Sequence, residues 1–122
     1  MLTVSIHDLG EAAVLRCIGR IVVGEEANIL RKAVLLHATK RTMVLDLARV
    51  NAIDGAGLGL VAFLEEWARA SGIDLKLLNP TQRVRELLEL TNLNSMLEIV
   101  SSEDTALVAG EQPTTQAAYQ CD

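Results

Sequence analysis

Aromatic side chains are scarce in this chain: Phe63, Trp67 and Tyr119 are the only three in 122 residues. Half of the residues are hydrophobic, so a single domain of this length can bury a real core, and that core must be aliphatic. Cysteine is equally rare. Cys17 lies in an apolar run and Cys121 one residue from the C-terminus, a spacing that makes neither a disulfide framework nor a metal motif. Cys17 reads as a small core residue. No uncharged apolar run approaches the roughly 18 residues a membrane helix needs. The start, MLTVSIHDLG, meets an acid at Asp8 and has no basic n-region, which argues against a signal peptide. There is no long basic run either, since Arg16, Arg20, Arg31, Lys32, Lys40, Arg41, Arg83 and Arg85 are scattered. With a net charge of −5 and a pI near 5.0, neither nucleic acid nor an anionic membrane is expected as the main partner. These absences describe a mildly acidic cytoplasmic protein with no direct membrane insertion.

Within those bounds the hydrophobic pattern is informative. Residues 2–7 alternate apolar and polar, the period of a half-buried strand. Gly10 turns the chain into a second strand over Ala13–Ile18, and so short a link predicts an antiparallel hairpin. After Gly24, Ile29, Leu30, Ala33, Val34, Leu36 and His37 recur at helical spacing, with Glu25 and Glu26 in the first turn, where the macrodipole favours acids. The run TMVLDLARV predicts a strand covered on both faces. A helix follows over about 57–71, then a strand over Ile73–Leu78. Asn79-Pro80-Thr81 opens a helix with Pro in its first turn. A short strand over Leu97–Val100 and a helix from Ser101 or Ser102 to about Ala109 complete the pattern. From Gly110 onward the sequence is polar and aperiodic, which predicts a mobile tail over 110–122. The order ββαβαβαβα is that of an α/β domain over 1–109, with a mainly parallel sheet, helices packed on it and an antiparallel first hairpin.

The stretch NAIDGAGLGLVAF places Gly55, Gly57 and Gly59 between the third strand and the second helix. Glycine-rich turns at that position often hold phosphates. Here the pattern is G-x-G-x-G rather than G-x-G-x-x-G, and no Lys-Ser or Lys-Thr follows, so a nucleotide fingerprint is incomplete. Asp54 has a structural use instead: its carboxylate can accept backbone N–H groups as a helix cap. Asp54, Ala56, Gly57 and Gly59 therefore read as turn and cap. Catalytic and metal-binding candidates are thin. His7 and His37 are far apart with no paired nucleophile, and Glu65 and Glu66 point about 100° apart on a helix. We expect no enzyme, no metal and no cofactor.

The segments MVLDLARVNAIDGAGLGLV and SGIDLKLLNPTQRVRELLELTNLNSMLEI closely resemble the STAS domains of bacterial anti-sigma factor antagonists. The resemblance runs over roughly residues 2–109, and it implies the same ββαβαβαβα fold. In that family the turn reads Asp-Ser-Ser-Gly or close to it. The Ser directly after Asp is a phosphorylation switch, modified by a partner kinase that is also an anti-sigma factor and restored by a phosphatase. At that position this chain has Gly55, followed by Ala56. Neither has a hydroxyl, so no O-phosphate can form there, and the resemblance implies a permanently unphosphorylated module.

The partners so implied are a kinase-like anti-sigma factor ATPase and, left open, a second copy of the chain in a homodimer. Two alternatives stay beside this reading: a nucleotide or small-molecule sensor, and a cytoplasmic regulatory subunit of a transporter or stress-signalling assembly. The helix after the turn is the expected partner surface. Two rotations of it are open: Leu60, Phe63, Leu64 and Trp67 could pack on the sheet, or Leu58, Val61, Glu65 and Ala68 could turn inward. The second leaves Phe63 and Trp67 partly exposed beside the turn, where aromatic residues suit a binding hot spot. Leu58, Phe63 and Trp67 are the candidate partner-binding residues.

Overall fold

The computed structural model describes residues 1–37 and 39–101, together with the backbone of one further strand at Thr114–Gln120. The elements are β1 (Leu2–Asp8), β2 (Ala12–Ile21), α1 (Glu25–Leu35), β3 (Thr42–Ile53), α2 (Gly55–Ala70), β4 (Asp74–Leu78), α3 (Gln82–Leu90), β5 (Glu98–Val100) and β6 (Thr114–Gln120). They form one sheet in the order β5-β4-β3-β2-β1-β6. β1 and β2 are the antiparallel hairpin, and β2, β3, β4 and β5 run parallel.

Alternation in β1 works as its sequence demands. Leu2, Val4 and Ile6 are fully buried, whereas Thr3, Ser5 and His7 are half-buried. The inward residues of the strands share one apolar cluster with Leu30, Ala33 and Val34 of α1, Leu58, Val61, Leu64 and Ala68 of α2, and Val84 and Leu88 of α3. One face of the sheet thus takes all three helices. Right-handed crossovers that step in one direction, from β2 to β3 to β4 to β5, require that arrangement. Among the described residues the buried core contains no aromatic ring.

Four sequence expectations meet different outcomes. β3 is covered on both faces only at its start, where Met43, Val44 and Leu45 are buried; Ala48, Arg49 and Asn51 are exposed. The helix α2 begins at Gly55 rather than near 57, because Asp54 is already its cap. Pro80 stands before α3 rather than inside it, since Thr81 caps that helix through Oγ1, 3.3 Å from the N–H of Val84. Where a mobile tail was expected, Thr114–Gln120 form β6, antiparallel to β1 from Thr3 opposite Gln120 to Asp8 opposite Thr114. Strand addition at an edge uses backbone groups, so a segment needs no apolar period to join one. The helix expected over 101–109 lies outside the described residues, apart from Ser101.

Candidate functional site

The turn between β3 and α2 is organised by one carboxylate. Asp54 has extended backbone angles, φ −111° and ψ −173°, as an N-cap residue needs. Its Oδ1 accepts the N–H of Gly57 at 2.9 Å, satisfying a donor that the first helical turn leaves free. Its Oδ2 accepts the N–H of Val23 at 3.0 Å. Asp54 therefore ties the start of α2 to the β2–α1 loop. The bond from Gly57, then that from Val23, holds its carboxyl below the ordinary value of 3.8.

The three glycines of the turn have different surroundings. Gly57 is buried, and a Cβ there would collide with the Ile21 carbonyl and crowd Ile53 Cγ1. Glycine lets the first turn of α2 lie directly on the end of β2. Gly55 and Gly59 are exposed, and apart from their chain neighbours and the helix's own backbone no heavy atom of the described residues lies within 4 Å of where a Cβ would stand. With Ala56 also exposed, the turn presents bare helix backbone to solvent. Gly55, Gly59 and Phe63 follow at intervals of four, along one stripe of the helix.

Phe63 is 45% exposed, and the Arg31 guanidinium of α1 lies 5.6 Å from its ring centroid. Trp67 is half-buried and packs against the core with Leu60. Leu58 does not join them. It is only 8% exposed and belongs to the core, because the spacing Leu58, Val61, Leu64, Ala68 is the stripe that α2 turns toward the sheet. Its place among the partner-binding candidates is corrected accordingly. The rotation of α2 combines parts of both expected arcs, with Leu64 buried and Glu65 largely enclosed, its Oε1 3.1 Å from Arg69 Nη2.

Val23 belongs to no motif in the sequence. It is 70% exposed, and its N–H is the second donor to Asp54. The partner lies 31 residues away, so no local pattern could reveal it. The remaining candidates are dispersed. His37 places Nδ1 2.9 Å from the Ala33 carbonyl. Cys17 is fully buried, and burial pushes its thiol up to about 12. His7 stands on β1, on the face opposite the helices. The turn gathers backbone donors, one carboxylate and exposed apolar groups, a combination suited to docking a partner.

Residues 3–106 match the family model described as the STAS domain. Among solved structures, the chain is similar to Bacillus SpoIIAA, an anti-sigma factor antagonist, in its unphosphorylated form, with a TM-score of 0.71 and 19% identity over 89% of this chain and 98% of that one. An anti-sigma factor antagonist from Mycobacterium paratuberculosis gives a TM-score of 0.71 at 19% identity, covering 89% of this chain and 93% of that chain. The chain is also similar to part of SLC26A9, with a TM-score of 0.67 and 14% identity over 89% of this chain and 24% of that chain.

Proposed function

The chain belongs to the STAS domain family, and from that premise we propose that it is a non-catalytic regulatory module of the anti-sigma factor antagonist kind, acting in the cytoplasm. Its partner is a kinase-like anti-sigma factor, which docks on the exposed start of α2, with Val23, Phe63 and the half-buried Trp67 as apolar contacts. The observation that carries this reading is the open, exposed position of Gly55 at a capped helix N-terminus. By the resemblance of the turn, we take that position as the one the family's switch residue occupies, and Gly55 carries no hydroxyl.

A phosphate at such a position adds a charge of about −2 and three acceptor oxygens, which changes the surface a partner must fit. With Gly55 the surface stays in its unmodified form, and control passes to the supply of the partner. Calorimetry against kinase-like anti-sigma factors of the same genome tests this. Binding to one of them is expected, unaffected by prior incubation with ATP, and weakened about tenfold or more by Phe63→Ala, as for a hot-spot aromatic. Mass spectrometry should find residues 54–59 unmodified. The reading fails if no such partner binds, if Phe63→Ala leaves affinity intact, or if a reversible stoichiometric phosphate elsewhere abolishes binding.

A further inference from the structure

The face of the sheet opposite the helices holds a concavity of about 470 Å³ on β1, β2 and β3. It shares no residue with the α2 turn. Arg16 and Arg49 line it, and Ser5 and His7 contribute polar groups from β1. Regular alternation would not put Arg49 there. Leu47 and Val50 are both in the core, at 1% and 0% exposure, and the two residues between them, Ala48 and Arg49, are both exposed. The pairing with β2 shifts at the same point: Arg16 lies opposite Asp46, but Ile18 lies opposite Arg49. Two steps along β2 match three along β3. That is a bulge, a device that re-aims a side chain.

Asp46 holds the bulge in place. Its Oδ1 accepts the N–H of Ala48 at 3.1 Å, and its Oδ2 faces Arg16 Nε at 3.4 Å. The side chain of Asp46 is only 14% exposed, that of Arg16 51%. Asp46, the one carboxylate among the described residues that line the concavity, is thus engaged by the Ala48 N–H and by the Nε edge of Arg16. Among the described residues Arg49 forms no ion pair, so none of their carboxylates offsets its charge by direct contact. The exposed Ile18 and Ala48 supply apolar surface beside these donors.

We infer that this concavity binds a small organic phosphate, its dianion held by Arg16 and Arg49 with Ser5 and His7 as further donors. Planar guanidinium forks match phosphate oxygens in pairs, and charge-assisted bonds of this kind are the strong ones. Ile18 and Ala48 receive the carbon skeleton. The volume falls in the range of small-molecule sites.

The test uses phenyl phosphate as the probe, titrated into the ¹⁵N-labelled 122-residue chain at about 150 mM salt, where exposed charges are screened. Saturable shifts are expected at the amides of Ser5, Arg16, Ala48 and Arg49, and not at Gly55–Gly59. Arg49→Gln should weaken binding about tenfold or more, the loss expected for a charged hydrogen bond. Arg49→Lys, which keeps the charge but not the fork, should fall between. Urea unfolding of each variant checks that the fold is intact. Inorganic phosphate should bind more weakly, because it leaves Ile18 uncovered. The proposal is overturned if no saturable shift occurs, if shifts centre on the α2 turn, or if Arg49→Gln binds as well as the parent. Equal affinity for inorganic and phenyl phosphate would overturn the organic part of it.

Discussion

The α2 turn and the β3 bulge both interrupt regular structure, and they do so by opposite means. At the turn, side chains are removed: Gly57 lets a helix lie against the Ile21 carbonyl, and Gly55 and Gly59 leave the outer surface bare. At the bulge, a residue is added, and an arginine is swung onto a face where alternation would not place it. In each case an aspartate fixes the irregularity through backbone N–H groups, Asp54 through Gly57 and Val23, Asp46 through Ala48. A carboxylate that accepts main-chain donors can thus anchor either device. What differs is the product, which is open backbone in one place and clustered charge in the other.

Substitutions can break this comparison in order of expected size. Gly57→Ala drives a Cβ into backbone that cannot step aside, and should cost about 2–3 kcal/mol in urea unfolding. A cost near zero would mean that α2 moves freely against β2. Trp67→Ala removes a half-buried ring and should cost about 2 kcal/mol, below the roughly 3–5 kcal/mol of a fully buried one. A loss as large as that would mark Trp67 as core and remove it from the docking surface.

Asp54→Asn acts through pH. The folded-state pKa of Asp54 lies below the ordinary 3.8, so the charged cap contributes fully above that value and its contribution is lost as pH falls through the folded pKa. Thermal melts from neutral to acid pH should therefore show a shallower acid limb in Asp54→Asn than in the parent; parallel curves would refute the role of the charge. Asp46→Ala should cost about 1 kcal/mol, the scale of one lost hydrogen bond, and should shift the amide resonances of Ala48 and Arg49 without disturbing those of α2. The smallest effect has the opposite sign. Gly55→Ala meets open space in a helical position and should stabilise by about 0.5 kcal/mol, so that two glycines two residues apart respond in opposite directions.

Sequence pattern revealed the turn better than the bulge, and the reason is physical. A cap is a local event: Asp54 and Gly57 stand three residues apart, within reach of any reading of the chain. The alternation of Leu2, Val4 and Ile6 is local too, and it located β1 as a half-buried strand. Leu45-Asp46-Leu47-Ala48-Arg49-Val50 breaks its alternation at Arg49, but which residue is the extra one depends on pairing with β2, and Ile18, opposite Arg49, stands 31 residues earlier. The same limit hid Val23 and β6, whose partners are distant. The rotation of α2 fell between these cases. Its apolar residues were visible, but they are frequent enough to support two arcs, and contact with the sheet selected Leu58, Val61, Leu64 and Ala68.

The shared carboxylate of Asp54 also bears on how the molecule breathes. The amides of Val23 and Gly57 belong to different elements, yet each donates to an oxygen of the same side chain. A rotation of that one group would release both. In native-state hydrogen exchange, where amides that open together form a cooperative unit, the β2–α1 loop and the first turn of α2 would then exchange as a pair. A partner that clamps either one would slow deuterium uptake at the other without touching it.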